Sequence, residues 1–248
     1  TLSKIDFDNI IKKIKSNGFI LNGSNDGNYT LNIQNEYADP KSGRIKMSNI
    51  RTTLHGIHNI HKYCKENSLN KENLPHDIEF MQKFSKRKTR DSSDFLKPID
   101  FHDFHFRVNF KEERKLYKNK PEIENLLNNW KDSKKNFRFI KRFTFIHRDY
   151  PFKIDCSIIK TSRKKKYYIP EYSIQDANVF NNPENYEIEI ELTKEAKNYK
   201  STDLIKKLKT GIKLVLSGWQ QTNFPCSFKE METILNEYKH LIYEGQKV

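Results

Sequence analysis

Between Asn185 and Leu192 the chain reads NYEIEIEL, with Glu187, Glu189 and Glu191 at every second position and Tyr186, Ile188, Ile190 and Leu192 between them. Successive side chains on a strand point to opposite faces, so this segment carries an acidic row backed by an apolar one. The same alternation recurs upstream. In FHFRVNFKEE, within an expected strand from Asp103 to Glu113, the row Phe104, Phe106, Val108 and Phe110 alternates with His105, Arg107, Asn109 and Lys111. In FRFIKRFTF, Phe137, Phe139, Phe143 and Phe145 stand against Arg138 and Arg142; in FKIDCSI, Phe152, Ile154, Cys156 and Ile158 stand against Lys153, Asp155 and Ser157. Two further alternating runs flank the turn ADPKSG and predict a hairpin near Tyr29 to Leu54, and another strand is expected from Asp77 to Lys88. Helical spacing governs DFDNIIKKIKSNG, GIHNIHKYCKEN, STDLIKKLKTGIKLVLSGWQ and SFKEMETILNEYKHLIYEG, where Ser227 and Glu230 form a capping box. Seven or more strands joined mainly by turns, with a few helices, predict an α+β fold: an antiparallel sheet or β-barrel with helices packed outside.

Composition narrows the partner. Lys and Arg number 46 against 32 Asp and Glu, a formal charge of +14, so a polyanion such as nucleic acid or a phosphorylated compound is the expected ligand. The 248 residues, 35% hydrophobic and 12% aromatic, suffice for one sizeable core, and the whole chain is read as a single domain cut from a longer one. No apolar run approaches the roughly 20 residues that span a bilayer, which predicts a soluble protein with no membrane partner. Cys64, Cys156 and Cys226 are odd in number and far apart, as expected of reduced thiols in a cytosol-like compartment. SRKKKYY and FSKRKTR are basic runs read as solvated turns. His55, His58, His61 and Cys64 recur every three residues, a spacing that drifts around a helix, and they are read as a polar face and not a zinc site. His102 and His105 are read as hydrogen-bonding groups on a strand, and Trp130, Trp219 and the many Phe residues as core. There is no internal repeat, Gly-rich phosphate loop, G-x-S-x-G elbow or paired CxxC.

For any one strand, an apolar face against an ionic face is what an antiparallel sheet with one side in water produces. The choice of charges points elsewhere. Neighbours of like sign repel across strands, so a solvated sheet gains nothing by collecting three glutamates on one strand and arginines on another. A closed barrel would turn the ionic rows onto a wet lumen, where carboxylates can hold a hard divalent cation and Arg and Lys the phosphates bound to it.

FRFIKRFTF, FKIDCSIIKTS and NYEIEIEL, in that order and ahead of a final NEYKHLI helix, resemble the basic strand, the Asp strand and the second metal-binding strand of the triphosphate tunnel metalloenzymes. The likeness is to the RNA triphosphatase domain of mRNA capping enzymes from large DNA viruses. It implies a metal-dependent polynucleotide 5′-triphosphatase, a hydrolase that removes the γ-phosphate from nascent RNA 5′ ends. Mg or Mn would be the cofactor, guanylyltransferase and methyltransferase domains of the same chain the partners, and the host cytoplasm, viral factory or virion the location. By the same resemblance Glu187 and Glu189 would be metal ligands, Glu191 the third acid and Asp155 a further acid of the site. Arg138, Arg142 and Lys153 would contact phosphates, with Arg107 and Lys83 as further cations. The opening strand departs from the family pattern, which has a second E-x-E pair there. Placed on YTLNIQNEY, the inward row is Thr30, Asn32, Gln34 and Glu36, with Glu36 the remaining metal-ligand candidate; placed on NIRTTLHG, the positions fall on Arg51 and Thr53. Two alternatives therefore stand beside the triphosphatase. One is a catalytically degenerate tunnel domain that binds RNA 5′ ends or scaffolds capping partners, and the other is a tunnel enzyme acting on polyphosphate or nucleoside triphosphates.

Overall fold

The computed structural model describes residues 2–39, 42–69, 74–75, 77–85 and 96–245. Helix α1 (Lys4–Ser16) starts at a capping box, in which the Asp6 amide donates to the Ser3 hydroxyl and the Ser3 amide to the Asp6 carboxylate. Strands β1 (Ile20–Asn22), β2 (Asn28–Ala38), β3 (Ile45–Met47) and β4 (Ile50–His55) follow, then α2 (Ile57–Glu66) and β5 (Ile78–Ser85). Next come the short β6 (Ile99–Phe101) and β7 (Phe106–Val108), β8 (Lys111–Leu116) and α3 (Pro121–Asn128). The second half holds β9 (Lys135–Ile146), β10 (Phe152–Thr161), β11 (Asn185–Leu192), α4 (Ser201–Gln220) and α5 (Phe228–Gly245). The hairpin, the helices and the three long strands lie where the sequence pattern places them. The expected strand beyond Ser85 and most of FSKRKTR lie outside the described residues.

The main sheet runs β11-β10-β9-β2-β4-β5-β8, antiparallel throughout, with β1 added to β9 and β3 to β2. One face of it is apolar and clothed by helices in two patches. Phe145, Phe152, Ile154 and Cys156 pack with Phe7, Ile10 and Ile14 of α1 and with Leu208, Leu214 and Trp219 of α4. Leu31, Ile33, Leu54, Phe80 and Phe137 pack with Ile60 and Tyr63 of α2, Ile123 and Leu127 of α3, and Trp130. The ionic rows are left on the other face. Among the described residues, no helix is long and apolar enough to cross a membrane.

The expected closed barrel is corrected to an open, curled sheet. Among the described residues β11 and β8 end the strand path without pairing to each other. Curling is nevertheless strong, because the charge of Lys153 on β10 acts on Glu113 of β8 although β9, β2, β4 and β5 lie between them. At about 4.8 Å per strand a flat sheet would hold them about 24 Å apart, well beyond screening distance. A physical reason for the opening is lumen size: about eight strands enclose an interior that side chains just fill, so a path of seven with Arg, Lys and Glu inside would exclude the water these groups need.

FHFRVNFKEE is not one strand. Residues His102–Phe104 form a 3₁₀ turn, and His105 takes a left-handed conformation at φ 51. The extended pieces then fall into different sheets, with β7 pairing only to β6 in a small hairpin where Phe101 and Phe106 stack at 4.5 Å. The His105 ring packs edge-on against Phe228 at 4.0 Å, so it serves packing. Helix α3, with Pro121 at its first position, is an element the alternation does not disclose. The Ser227 and Glu230 capping box forms as expected.

Helix α4 lies close against its neighbours at two glycines. A Cβ on Gly218 would meet the Ile10 Cα at 2.7 Å, and one on Gly211 would meet the Phe152 ring at 2.6 Å. Alanine gains about 1 kcal/mol over glycine in a helix interior, whereas overpacking costs about 1–3 kcal/mol, and backbone cannot swing aside as a side chain end can. Gly218→Ala should therefore lower stability by about 1–2 kcal/mol in urea unfolding; a gain in stability would show that α1 and α4 separate freely.

Candidate functional site

Strand register sets the site. Residues opposite one another share a face, and following the pairs from β11 inward gives Glu187, Glu189 and Glu191, then Ser157, Asp155 and Lys153, then Arg142, Thr144 and Arg138. The same face continues through Asn28, Thr30 and Asn32 of β2, Thr53 and His55 of β4, Glu79 of β5 and Lys115 of β8. The three glutamates are thus carried by an ordinary strand pleat, and the cations on β9 and β10 fall within reach because adjacent strands run antiparallel.

Each glutamate of the row has a cationic partner. Arg138 donates to Glu187 at 2.6 Å, Arg142 to Glu189 at 2.9 Å, and Lys153 to Glu191 at 3.0 Å. Beneath them Asp155 has no exposed surface and is held from three sides, by the Thr144 hydroxyl at 2.6 Å, Lys153 at 3.2 Å and Arg142 at 3.3 Å. Arg142 also donates to the Ser157 hydroxyl at 3.0 Å. Burial, the largest influence on the Lys153 ammonium, opposes its charge, but Glu191 and Asp155 together outweigh it and hold its pKa above the ordinary 10.5.

A second ionic group sits on the other wall. Lys83 lies 2.6 Å from Glu113 and Arg51 lies 3.8 Å from it, while Lys115 donates to Glu79 at 2.8 Å. Nε of Arg51 is buried without a hydrogen-bond partner among the described residues. Glu113, Glu79 and Lys115 were not singled out from sequence; the alternation of KEERKL around Glu113 and Lys115 was the available signal. Among the described residues, and apart from His55, the ion-paired side chains of the face balance: Asp155, Glu79, Glu113, Glu187, Glu189 and Glu191 against Arg51, Lys83, Lys115, Arg138, Arg142 and Lys153.

Two sequence candidates fall elsewhere. Arg107 is on the small hairpin, bound to Asp100 at 2.5 Å, because the break at His105 takes it out of the main sheet. Glu36 shares the inward parity of β2 but pairs with Met47 of β3, four residues and about 13 Å of strand beyond Asn32, the position opposite Arg138. His55 lies on β4, before α2 begins, and contacts Glu79 at 3.3 Å, so the four residues spaced by three do not share one helix.

The two placements of the opening strand turn out to be neighbours. Asn32 and Thr53 are opposite in the register, and the Thr53 hydroxyl donates to the Asn32 side-chain oxygen at 2.9 Å. Both are on the ionic face and neither supplies a carboxylate. The Mg or Mn implied by the resemblance therefore lacks a fitting donor set in this arrangement. A cation set among the glutamates would sit beside the Arg and Lys groups already bound to them, and among the described residues no three His, Cys, Asp or Glu side chains group as metal ligands would. A concavity of about 380 Å³ lined by Lys12, Ser217 and Asn223 lies between α1 and the end of α4, on the helix-covered side of the sheet.

Two outcomes test the wiring. Asp155→Asn should cost about 2–3 kcal/mol, since it weakens charge-assisted hydrogen bonds at a site without solvent, whereas Glu189→Gln, 53% exposed, should cost under about 1 kcal/mol; equal losses in urea unfolding would contradict this layering. For Glu113, burial acts to raise the pKa, but the hydrogen bond from Lys83 and the charges of Lys83, Arg51 and Lys153 prevail and place it below the ordinary 4.5. The unfolded chain then takes up this proton first, so the contribution is full above about pH 4.5 and is lost as pH falls through the folded value. Lys83→Met should flatten that acid limb of the stability curve, and an unchanged limb would remove Lys83 from the network. No family model and no curated protein matches the chain. Among solved structures it is similar to the Pct1 RNA triphosphatase of S. pombe, with 11% identity and a TM-score of 0.40 over 86% of this chain and 68% of that one.

Proposed function

We propose that the ionic face receives the triphosphate at the 5′ end of RNA, and that the chain is the RNA 5′-triphosphatase domain of a viral mRNA capping enzyme. The observation that carries the reading is the convergence of Arg138, Arg142 and Lys153 on one sheet face, each paired with a half-exposed glutamate. A polyphosphate offers these cations more negative charge than the carboxylates do, so its oxygens replace Glu187, Glu189 and Glu191 as partners. The order of FRFIKRFTF, FKIDCSIIKTS and NYEIEIEL supports RNA as the class of substrate.

On this reading the guanidinium groups of Arg138 and Arg142 neutralise the charge that spreads over the γ-phosphate as its bond to the β-phosphate oxygen breaks. Asp155 is fully engaged and positions Arg142 and Lys153. A half-exposed carboxylate of the row, Glu189 beside Arg142 on this proposal, would orient the attacking water. A second reading, capture of RNA 5′ ends without turnover, is favoured by the Asn32 and Thr53 pair at the place where the family carries acids.

Tripolyphosphate titrated by calorimetry tests the site directly. Binding should persist in EDTA and weaken steeply with salt. Arg142→Ala should reduce affinity about 10- to 100-fold and make the log–log salt slope shallower by about 0.7 to 0.9. Release of γ-phosphate from triphosphate-ended RNA, ATP and tripolyphosphate, with and without Mn, then separates turnover from capture. Failure of the unmodified protein to bind tripolyphosphate at low salt would end both readings.

A further inference from the structure

Strand β10 ends at Thr161, opposite Arg138 in the register, and the chain runs on directly into SRKKKYYIPEYS, residues 162–173. This segment is basic and aromatic at once. Tyr167 is 74% exposed, Tyr172 51% and Tyr168 40%, among Arg163, Lys164, Lys165 and Lys166. A solvated turn accounts for the lysines but gives no reason to hold three tyrosine rings in water.

The segment is also anchored. The Ile169 amide donates to the Arg163 carbonyl at 2.9 Å and the Lys165 amide to the Tyr167 carbonyl at 3.1 Å. At its far end Lys135 and Glu171 exchange backbone hydrogen bonds at 2.8 and 3.0 Å, and the fully buried Lys135 ammonium donates to the Tyr172 carbonyl at 3.2 Å. Each ring has an ammonium above it: Lys166 at 5.7 Å from Tyr167, Lys164 at 5.5 Å from Tyr168, and Lys134 at 5.4 Å from Tyr172. Exposed π-faces within a run of cations are the two components of a single-strand nucleic-acid site, one for bases and one for the backbone.

We infer that residues 162–173 bind the first nucleotides of the RNA strand whose 5′ triphosphate lies on the ionic face, with bases stacked on Tyr167 and Tyr172 and backbone phosphates near Lys164 and Lys166. The inference rests on the proposed triphosphate-end reading, and it adds a subsite for the RNA body. A duplex would keep its bases from the rings, so the ligand is single-stranded.

The test compares tripolyphosphate, 5′-triphosphorylated oligoribonucleotides of two and eight nucleotides, the same eight-mer without its phosphates, and its duplex. The triphosphorylated eight-mer should bind at least about tenfold more tightly than tripolyphosphate, given what one stacked base contributes. Tyr167→Ala with Tyr172→Ala should abolish that gain and leave tripolyphosphate affinity unchanged, while the double Phe variant retains it. Affinity of the triphosphorylated eight-mer no greater than that of tripolyphosphate, an undiminished gain in the double Ala variant, or equal binding of the duplex would each overturn the inference. Should tripolyphosphate fail to bind, the end-site reading falls alone; the unphosphorylated eight-mer then still reports on the tyrosines, through its loss or retention in the double Ala variant.

Discussion

A carboxylate with no exposed surface has given up its water and must find equivalent partners in the protein. Asp155 finds them in Thr144, Arg142 and Lys153, and the inner face is organised around that requirement. Arg142 and Lys153 are held at fixed positions from below, and each turns its remaining donors upward to Glu189 and Glu191. The acidic row on β11 is therefore an upper layer set on a lower one. Its three like charges coexist because cations anchored by Asp155 or by the adjacent strand reach between them.

The two faces of the sheet divide the labour. The apolar rows of β10, β11 and the end of β9 bury themselves under α1 and α4, and those of β2, β4, β5 and the start of β9 under α2 and α3. This burial supplies the stability, so the opposite face need not contribute to folding as a greasy core would. What it contributes is a fixed array of alternating charge, curled so that β8 and β10 act on each other across the opening.

Strand alternation made much of this legible. The period of two in FRFIKRFTF, FKIDCSI and NYEIEIEL assigned each residue to a face, and the register then brought Arg138, Arg142, Lys153, Asp155 and the glutamates together. The partners of each charge were not legible, because they depend on which strands adjoin and by how many residues they are shifted. FHFRVNFKEE misled for a related reason: its pattern is that of a strand, but the left-handed turn at His105 and the stacking of Phe101 on Phe106 break it in two and carry Arg107 away. The two placements of the opening motif looked exclusive in one dimension and are adjacent strands in three.

The matched number of carboxylates and cations on the inner face has a consequence for selectivity. A protein of charge +14 draws any anion toward it, yet the six carboxylates and six cations described as ion-paired on this face cancel one another. A polyanion that settled there, as proposed, would have to exchange one internal ion pair after another, and a single phosphate could exchange few. On the proposed reading the face would act as a counter of charges, passing over small anions and retaining chains of phosphates, with no enclosed pocket needed to measure their length.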